Sequence, residues 1–173
     1  MIETNRLILR NFSADDTEGC FISWGQDIST GKYIPFFPMK SIEEMASFVN
    51  AMADNKDAWV ICLKDGTPVG YAAVDIPYPQ LKTGEIGYLI GESFQRKGYG
   101  IEAVSAVLKE YLVNRGMYLM EAKCNEDNKA SQMLLEKIGF IKEARLRDRR
   151  TDMISGERKA LLIYSITKNE LQE

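Results

Sequence analysis

Apolar residues recur along the chain with two different periods, and the changes of period divide it into elements. Leu7-Ile8-Leu9-Arg10-Asn11-Phe12 reads as a first strand. Asp15 to Trp24 reads as a short helix whose acidic first turn suits the positive end of the helix dipole. Two prolines keep Tyr33-Ile34-Pro35-Phe36-Phe37-Pro38 out of any regular ladder. Ser41-Ile42-Glu43-Glu44 matches a capping box, and Met45, Phe48, Val49 and Met52 continue it as one apolar helix face.

From Trp59 the pattern becomes strand-like. Trp59-Val60-Ile61-Cys62-Leu63 and Val69 to Val74 flank an Asp65-Gly66 hairpin turn, and Glu85-Ile86-Gly87-Tyr88-Leu89-Ile90 follows after Pro77-Tyr78-Pro79. A helix with Val104, Val107, Leu108, Tyr111 and Leu112 on one face ends at Asn114-Arg115-Gly116. Tyr118 to Lys123 is the next strand and Ala130 to Ile138 the next helix, closed by Gly139. Two last strands lie around Lys142–Arg147 and Ala160–Ile166. This order predicts an α/β (α+β) chain with a mixed, mostly antiparallel sheet and one parallel crossover near its middle. No repeat, low-complexity tract or long linker interrupts it, so a single domain over residues 1–173 is expected.

Composition narrows the chemistry. The 173 residues are 45% hydrophobic and 27% charged, ordinary for a globular domain, and the net charge of −3 argues against a general binder of nucleic acid or anionic membrane. There is no histidine, which removes His-ligated zinc and the Ser-His and Cys-His nucleophile pairs together. Cys20, Cys62 and Cys124 are odd in number and widely spaced, so reduced thiols in a cytoplasmic protein are expected and no metal site. Met1-Ile2-Glu3-Thr4-Asn5-Arg6 does not resemble a signal peptide, and no stretch approaches a membrane span.

The strongest chemical signal is Gln95-Arg96-Lys97-Gly98-Tyr99-Gly100, between a strand and a helix. Glycines let the backbone fold so that several amides point at one anion, the helix start adds unpaired N–H groups, and Arg96 and Lys97 add charge. Together they suit a pyrophosphate, though a tight turn with solvated basic residues would use the same letters. Neither the P-loop nor the GxGxxG spacing is present, and a nucleotide-binding protein using this turn for ATP ranks last. Downstream come Asn125, Asn128 and Ser131, then Leu134-Leu135-Glu136-Lys137-Ile138-Gly139-Phe140.

With these segments in this order the chain resembles the GCN5-related N-acetyltransferase (GNAT) family. Gln95–Gly100 matches its (Q/R)xxGxG acyl-CoA loop, and Asn128 to Phe140 its N-x-x-(A/S)…EKxGF helix. Thr4 to Arg10 and Glu85-Ile86-Gly87-Tyr88 are similar to the branch holding the ribosomal-protein N-terminal acetyltransferases. The resemblance implies a twisted sheet of about seven strands with about four helices and a splayed parallel pair at its centre. It implies acetyl-CoA as cosubstrate, pantetheine held by the main chain of Tyr88, Leu89 and Ile90, pyrophosphate wrapped by Arg96, Lys97, Gly98, Tyr99, Gly100 and Ile101, and Gln95 as a further cofactor-binding residue. Asn128 and Ser131 would touch the pantetheine arm; Asn128 equally suits a helix cap. The implied acceptor is a protein or peptide N-terminal α-amine, such as a ribosomal protein's, with no direct contact to nucleic acid or membrane. Dimers are common in that branch.

Without histidine the base must be a carboxylate, and Glu85 is the first candidate; the alternative is a solvent-facing strand residue paired with a lysine. Two positions depart from the family pattern: Leu135 stands where many members have a tyrosine acid, and Lys123 where some have a glutamate. The resemblance then points to Ser131 as the group that protonates the leaving thiolate. Asp152 is a second carboxylate that could face the acceptor, and Tyr33, Phe36 and Phe37 an apolar lip over it or packing beneath a loop. Cys124 reads as a buried structural thiol. Arg145, Arg147, Arg149 and Arg150 would lie mostly on one strand face, solvated or facing an acidic or nucleic-acid-bound acceptor. A small-molecule amine as acceptor, or a silent acyl-CoA-binding module, are the alternatives.

Overall fold

The computed structural model describes residues 1–171, with backbone alone at Thr30 and Gly31. Eight strands form one sheet in the order β1-β2-β3-β4-β5-β6-β8-β7. Their ranges are β1 Ile2–Glu3, β2 Leu7–Arg10, β3 Ala58–Leu63, β4 Pro68–Asp75, β5 Thr83–Ile90, β6 Leu119–Asn125, β7 Ile141–Thr151 and β8 Arg158–Thr167. Every neighbouring pair is antiparallel except β5 and β6. The expected sheet is therefore present, with an added two-residue edge strand, β1.

The helices are α1 Asp16–Cys20, α2 Ile28–Gly31, α3 Ile42–Ala53, α4 Tyr99–Leu108 and α5 Lys129–Ile138. The helix expected over Asp15–Trp24 changes character halfway: α1 widens into a π-helical segment, Phe21–Gly25, and α4 likewise runs on into Lys109–Asn114. Ser41 caps α3 by accepting from the Glu44 N–H, while Glu44 accepts from Lys40, one residue outside the expected box. No helix among the described residues is long and apolar enough to cross a membrane.

The sheet is covered on both faces, which explains why β3 is apolar throughout. Trp59 and Ile61 join a core with α4, Tyr111, Leu135 and Ile166. Ala58, Val60 and Cys62 point the other way into a second core with Trp24, Phe37, Met45 and Val49 of the α1–α3 layer. Each core buries many aliphatic and aromatic side chains, at roughly 1.5–3 kcal/mol apiece before chain entropy is counted. All three cysteines are free and buried.

Candidate active site

Strands β5 and β6 stay paired only at Thr83–Leu119, Gly84–Met120 and Glu85–Glu121. Beyond Glu85 they separate, although β5 continues to Ile90 and β6 to Asn125. Tyr88 and Leu89 thus border the gap with main-chain groups that β6 does not pair. The Ile90 carbonyl instead accepts from the Gln95 side-chain amide at 2.9 Å, so Gln95 ties the loop back to the strand end.

The loop leads directly into α4. Arg96 holds φ 60 and Gly98 φ 85, and Gly98 is the residue from which the helix starts. Positive φ at Gly98 costs little, whereas Arg96 carries a conformation non-glycine residues rarely adopt. Among the described residues, neither the Arg96 nor the Lys97 side chain has a hydrogen-bond or ion-pair partner, and both are exposed. A Cβ on Gly100 would sit 2.7 Å from Leu134 Cδ1, so glycine there lets α4 lie close against α5.

Thr4-Asn5-Arg6 braces this loop from outside. Glu102 of α4 accepts from the Thr4 hydroxyl at 2.7 Å, the Arg6 N–H at 2.8 Å and Arg6 Nε at 2.7 Å. Arg6 in turn donates to the Lys97 carbonyl at 2.9 Å and lies 4.7 Å over the Tyr99 ring. Partial burial works against the Glu102 carboxylate, but the hydrogen bonds from Thr4 and Arg6 outweigh it and hold its pKa below the usual value. The sequence displays only the Thr-Asn-Arg letters of this clamp, because the glutamate they seek lies 96 residues on.

On the α4–α5 side of the gap, Tyr88 Oη and Ser131 Oγ are 2.8 Å apart. Burial pushes the Tyr88 phenol far above its usual pKa, so it stays a neutral hydroxyl. The Asn128 side chain accepts from the Ser131 N–H at 3.1 Å and caps α5. Two residues expected near the pantetheine arm are thereby brought together with the side chain of Tyr88, a residue the resemblance implicates through its main chain alone. Cys124 lies buried nearby with its thiol pKa raised by burial, an inert structural thiol as expected.

Where the gap begins, Lys123 Nζ meets Glu85 Oε2 at 2.5 Å. This is the lysine pairing given above as the alternative for Glu85, and it also places Lys123 beside the candidate base. Glu85 also lines a groove on the α3 side of the sheet, together with Asp75, Gly87, Phe36, Phe48 and Tyr71.

Other expectations resolve differently. Asp152 is buried and does not line the groove; it accepts from the Ile154 and Ser155 N–H groups and pairs with Lys32, which makes it a turn-holding carboxylate. Of the three lip candidates, Phe36 is exposed on the groove, Phe37 is buried in the α1–α3 core, and Tyr33 reaches the Asp127 carbonyl at 3.3 Å. Leu135 is fully buried core. The arginine alternation fails because β7 is irregular between Leu146 and Arg150, with Asp148 at φ 55; Arg145 turns to Glu126 at 2.6 Å.

Residues 6–141 match the family model of the acetyltransferase (GNAT) domain. The N-acetyltransferase YoaA of Bacillus subtilis is 32% identical over 157 residues, covering 85% of this chain and 86% of that protein. The ribosomal-protein-serine acetyltransferase of Escherichia coli is 31% identical over 84 residues, about half of each chain. Among solved structures, a GNAT-family acetyltransferase from Bacillus anthracis superposes with a TM-score of 0.87 at 26% identity, covering 98% of this chain and 99% of that one.

Proposed function

The chain belongs to the GNAT family of acetyl-transferring enzymes, and on that premise we propose that it moves the acetyl group of acetyl-CoA directly onto a protein or peptide N-terminal α-amine. The observation that carries this is the gap beyond Glu85: an open strand edge with a cationic loop at one end and a groove on the opposite face of the sheet. The family uses acetyl-CoA, and these residues fit it. Arg96 and Lys97, unpaired, would meet the pyrophosphate with the N–H groups that open α4. The main chain of Tyr88 and Leu89 would pair with the pantetheine amides.

The reaction needs the amine neutral when its lone pair attacks the thioester carbonyl carbon. The new C–N bond replaces the C–S bond, the nitrogen loses one proton, and the departing thiolate takes one up. Deprotonating a lysine-like amine of pKa about 10.4 costs roughly 4.6 kcal/mol at pH 7; an α-amine near 7.7–8.0 costs only about 1–1.4 kcal/mol. A site with carboxylates and no imidazole suits the second acceptor far better. Glu85, paired with Lys123, would take the amine's proton through water. Ser131, with the Tyr88 hydroxyl behind it, would supply the thiolate's proton. The partial likeness to the Escherichia coli ribosomal-protein-serine acetyltransferase supports the choice of acceptor.

Purified protein incubated with acetyl-CoA and short peptides, half of them α-blocked, tests this by mass spectrometry. A 42-Da gain (the mass of an added acetyl group) on free N-termini, absent from blocked lysine-containing peptides and reduced by Glu85→Gln, is the expected result. Acetylation of the blocked peptides alone would overturn the α-amine assignment.

A further inference from the structure

The groove on the α3 side has an ordered chemistry along its length. The β4–β5 register sets Asp75 opposite Glu85, Ala73 opposite Gly87 and Tyr71 opposite Leu89, all on one face. The first row is anionic. The second is nearly bare: Ala73 offers one methyl, and a Cβ placed on Gly87 would meet nothing within 4 Å. The third is aromatic, where Tyr71 packs edge-on to Phe48 at 5.3 Å between centroids, and Phe36 stacks on Phe48 at 5.9 Å.

Two features of this arrangement suit an aromatic amine. Carboxylates directly opposite each other repel across a strand pair. Lys123 pairs with Glu85, while Asp75, exposed to solvent, has no hydrogen-bond or ion-pair partner among the described residues. Phe36 is 54% exposed although it rests on an aromatic cluster that extends inward to Trp24 and Phe37. An unneutralised carboxylate and an uncovered aromatic wall stand at two ends of a floor without side chains. The groove is about 380 Å³, near the lower end for a small-ligand pocket and room for one residue-sized group. Successive rows are about 7 Å apart, the reach of an ammonium–carboxylate contact plus a two-carbon spacer.

We propose that this groove selects primary amines bearing an aromatic ring two carbons from the nitrogen, with the ammonium received at Asp75, across from Glu85, which takes its proton before attack, and the ring laid over Gly87 and Ala73 against Phe36, Phe48 and Tyr71. The proposal rests on the acetyl-transfer reading of the neighbouring gap and gives that site its acceptor class. A free arylalkylamine and an N-terminal aromatic residue share this chemistry. The ring gains a wall of offset and edge-on aromatic partners, and the cation gains the one groove carboxylate without a counter-charge.

The test measures CoA thiol release with phenethylamine, phenylalaninamide, a phenylalanyl tripeptide and alaninamide as acceptors. Wild type is expected to favour phenylalaninamide over alaninamide by about 30-fold in kcat/KM, the worth of moving a ring from water onto an apolar wall. Phenethylamine ahead of the tripeptide identifies a free amine as the source and overturns the peptide acceptor proposed above, and the reverse order identifies an N-terminus; either order supports the groove assignment. Phe36→Ala should bring the phenylalaninamide-to-alaninamide ratio below about 5. Gly87→Leu, whose Cβ has open space and whose side chain would stand on the groove floor, should lose acceptor turnover while acetyl-CoA still raises Tm. Turnover of all four amines within about 2-fold of one another, or a ratio unchanged in Phe36→Ala, overturns the groove assignment and leaves acetyl transfer standing. No thiol release with any amine overturns both.

Discussion

Replacing Glu102 with alanine separates the stability of the fold from the readiness of its phosphate loop. The change removes three hydrogen bonds at 2.7–2.8 Å, from Thr4 and from the main chain and side chain of Arg6. Arg6 is 44% exposed, so the ion pair itself is screened and contributes about 0–1 kcal/mol. The bonds from Thr4 and the Arg6 N–H reach a carboxylate that is only 17% exposed, and together with the ion pair a loss of about 2 kcal/mol is expected. For a chain of this length that lowers Tm by about 4–8 °C. Arg6 also holds the Lys97 carbonyl, so its release frees a loop whose Arg96 and Gly98 both sit at positive φ. If about 1 kcal/mol of the lost energy had been ordering that loop, the acetyl-CoA Kd rises about 5-fold. Urea unfolding of the free protein and calorimetric titration with acetyl-CoA read the two effects separately. Asp16→Ala is the control: it breaks an equally close carboxylate–arginine contact, to Arg10, on a helix packed against α3 and β4. The control should lose stability with Kd unchanged. An unchanged Kd in Glu102→Ala, or an equal rise in both variants, would refute the bracing role. The Glu102 pKa is lower in the folded chain, so its stabilisation is complete above the unfolded value near 4.3 and fades as pH falls through the folded value; the difference from Glu102→Ala should shrink in that acid range.

Further outcomes follow from the same geometry. Ser131→Ala should lower kcat about 10-fold at saturating acetyl-CoA, and Tyr88→Phe less; the double variant should fall no lower than Ser131→Ala, because Tyr88 acts through the serine. Leu135→Ala removes a fully buried side chain and should cost about 3 kcal/mol, seen as a Tm lower by about 6–12 °C with KM for acetyl-CoA unchanged at a temperature where the variant is folded. The pH profile of kcat/KM for an α-amine acceptor should rise to a plateau with a midpoint at about 8, the acceptor's own pKa, and no histidine exists to add a step near 6.5; a midpoint well away from the acceptor's pKa would contradict attack by the neutral amine.

How far the sequence carried depended on the distance over which each feature is encoded. The helix faces, the Asp65-Gly66 turn and the Ser41 and Asn128 caps are local, written within a few residues, and all are found in place. The π-helical widening after Cys20 left no trace because apolar period alone does not distinguish it from α-helix. Edge strand β1 is two residues long, too short to show a period. The site's decisive contacts join distant positions: Thr4 and Arg6 to Glu102, Tyr88 to Ser131, Glu85 to Lys123. Lys123 looked like a loss at an expected catalytic position, yet across the β5–β6 opening it is the counter-charge of Glu85. Asp152 looked available because nothing in the chain announces that the N–H groups two and three residues on will claim it. Phe36 and Phe37 are neighbours in sequence with opposite fates, one on the groove and one in the core, because the irregular segment between its two prolines turns them apart.

A thermal-shift titration with acetyl-CoA beside ATP addresses the central claim most directly, since the gap and the loop beyond it are assigned to acyl-CoA. At about 100 times its Kd, acetyl-CoA should add roughly 2.7 kcal/mol of stability and raise Tm by about 5–11 °C, while ATP at the same concentration leaves it unmoved. No shift with acetyl-CoA, or an equal shift with ATP, would contradict the assignment.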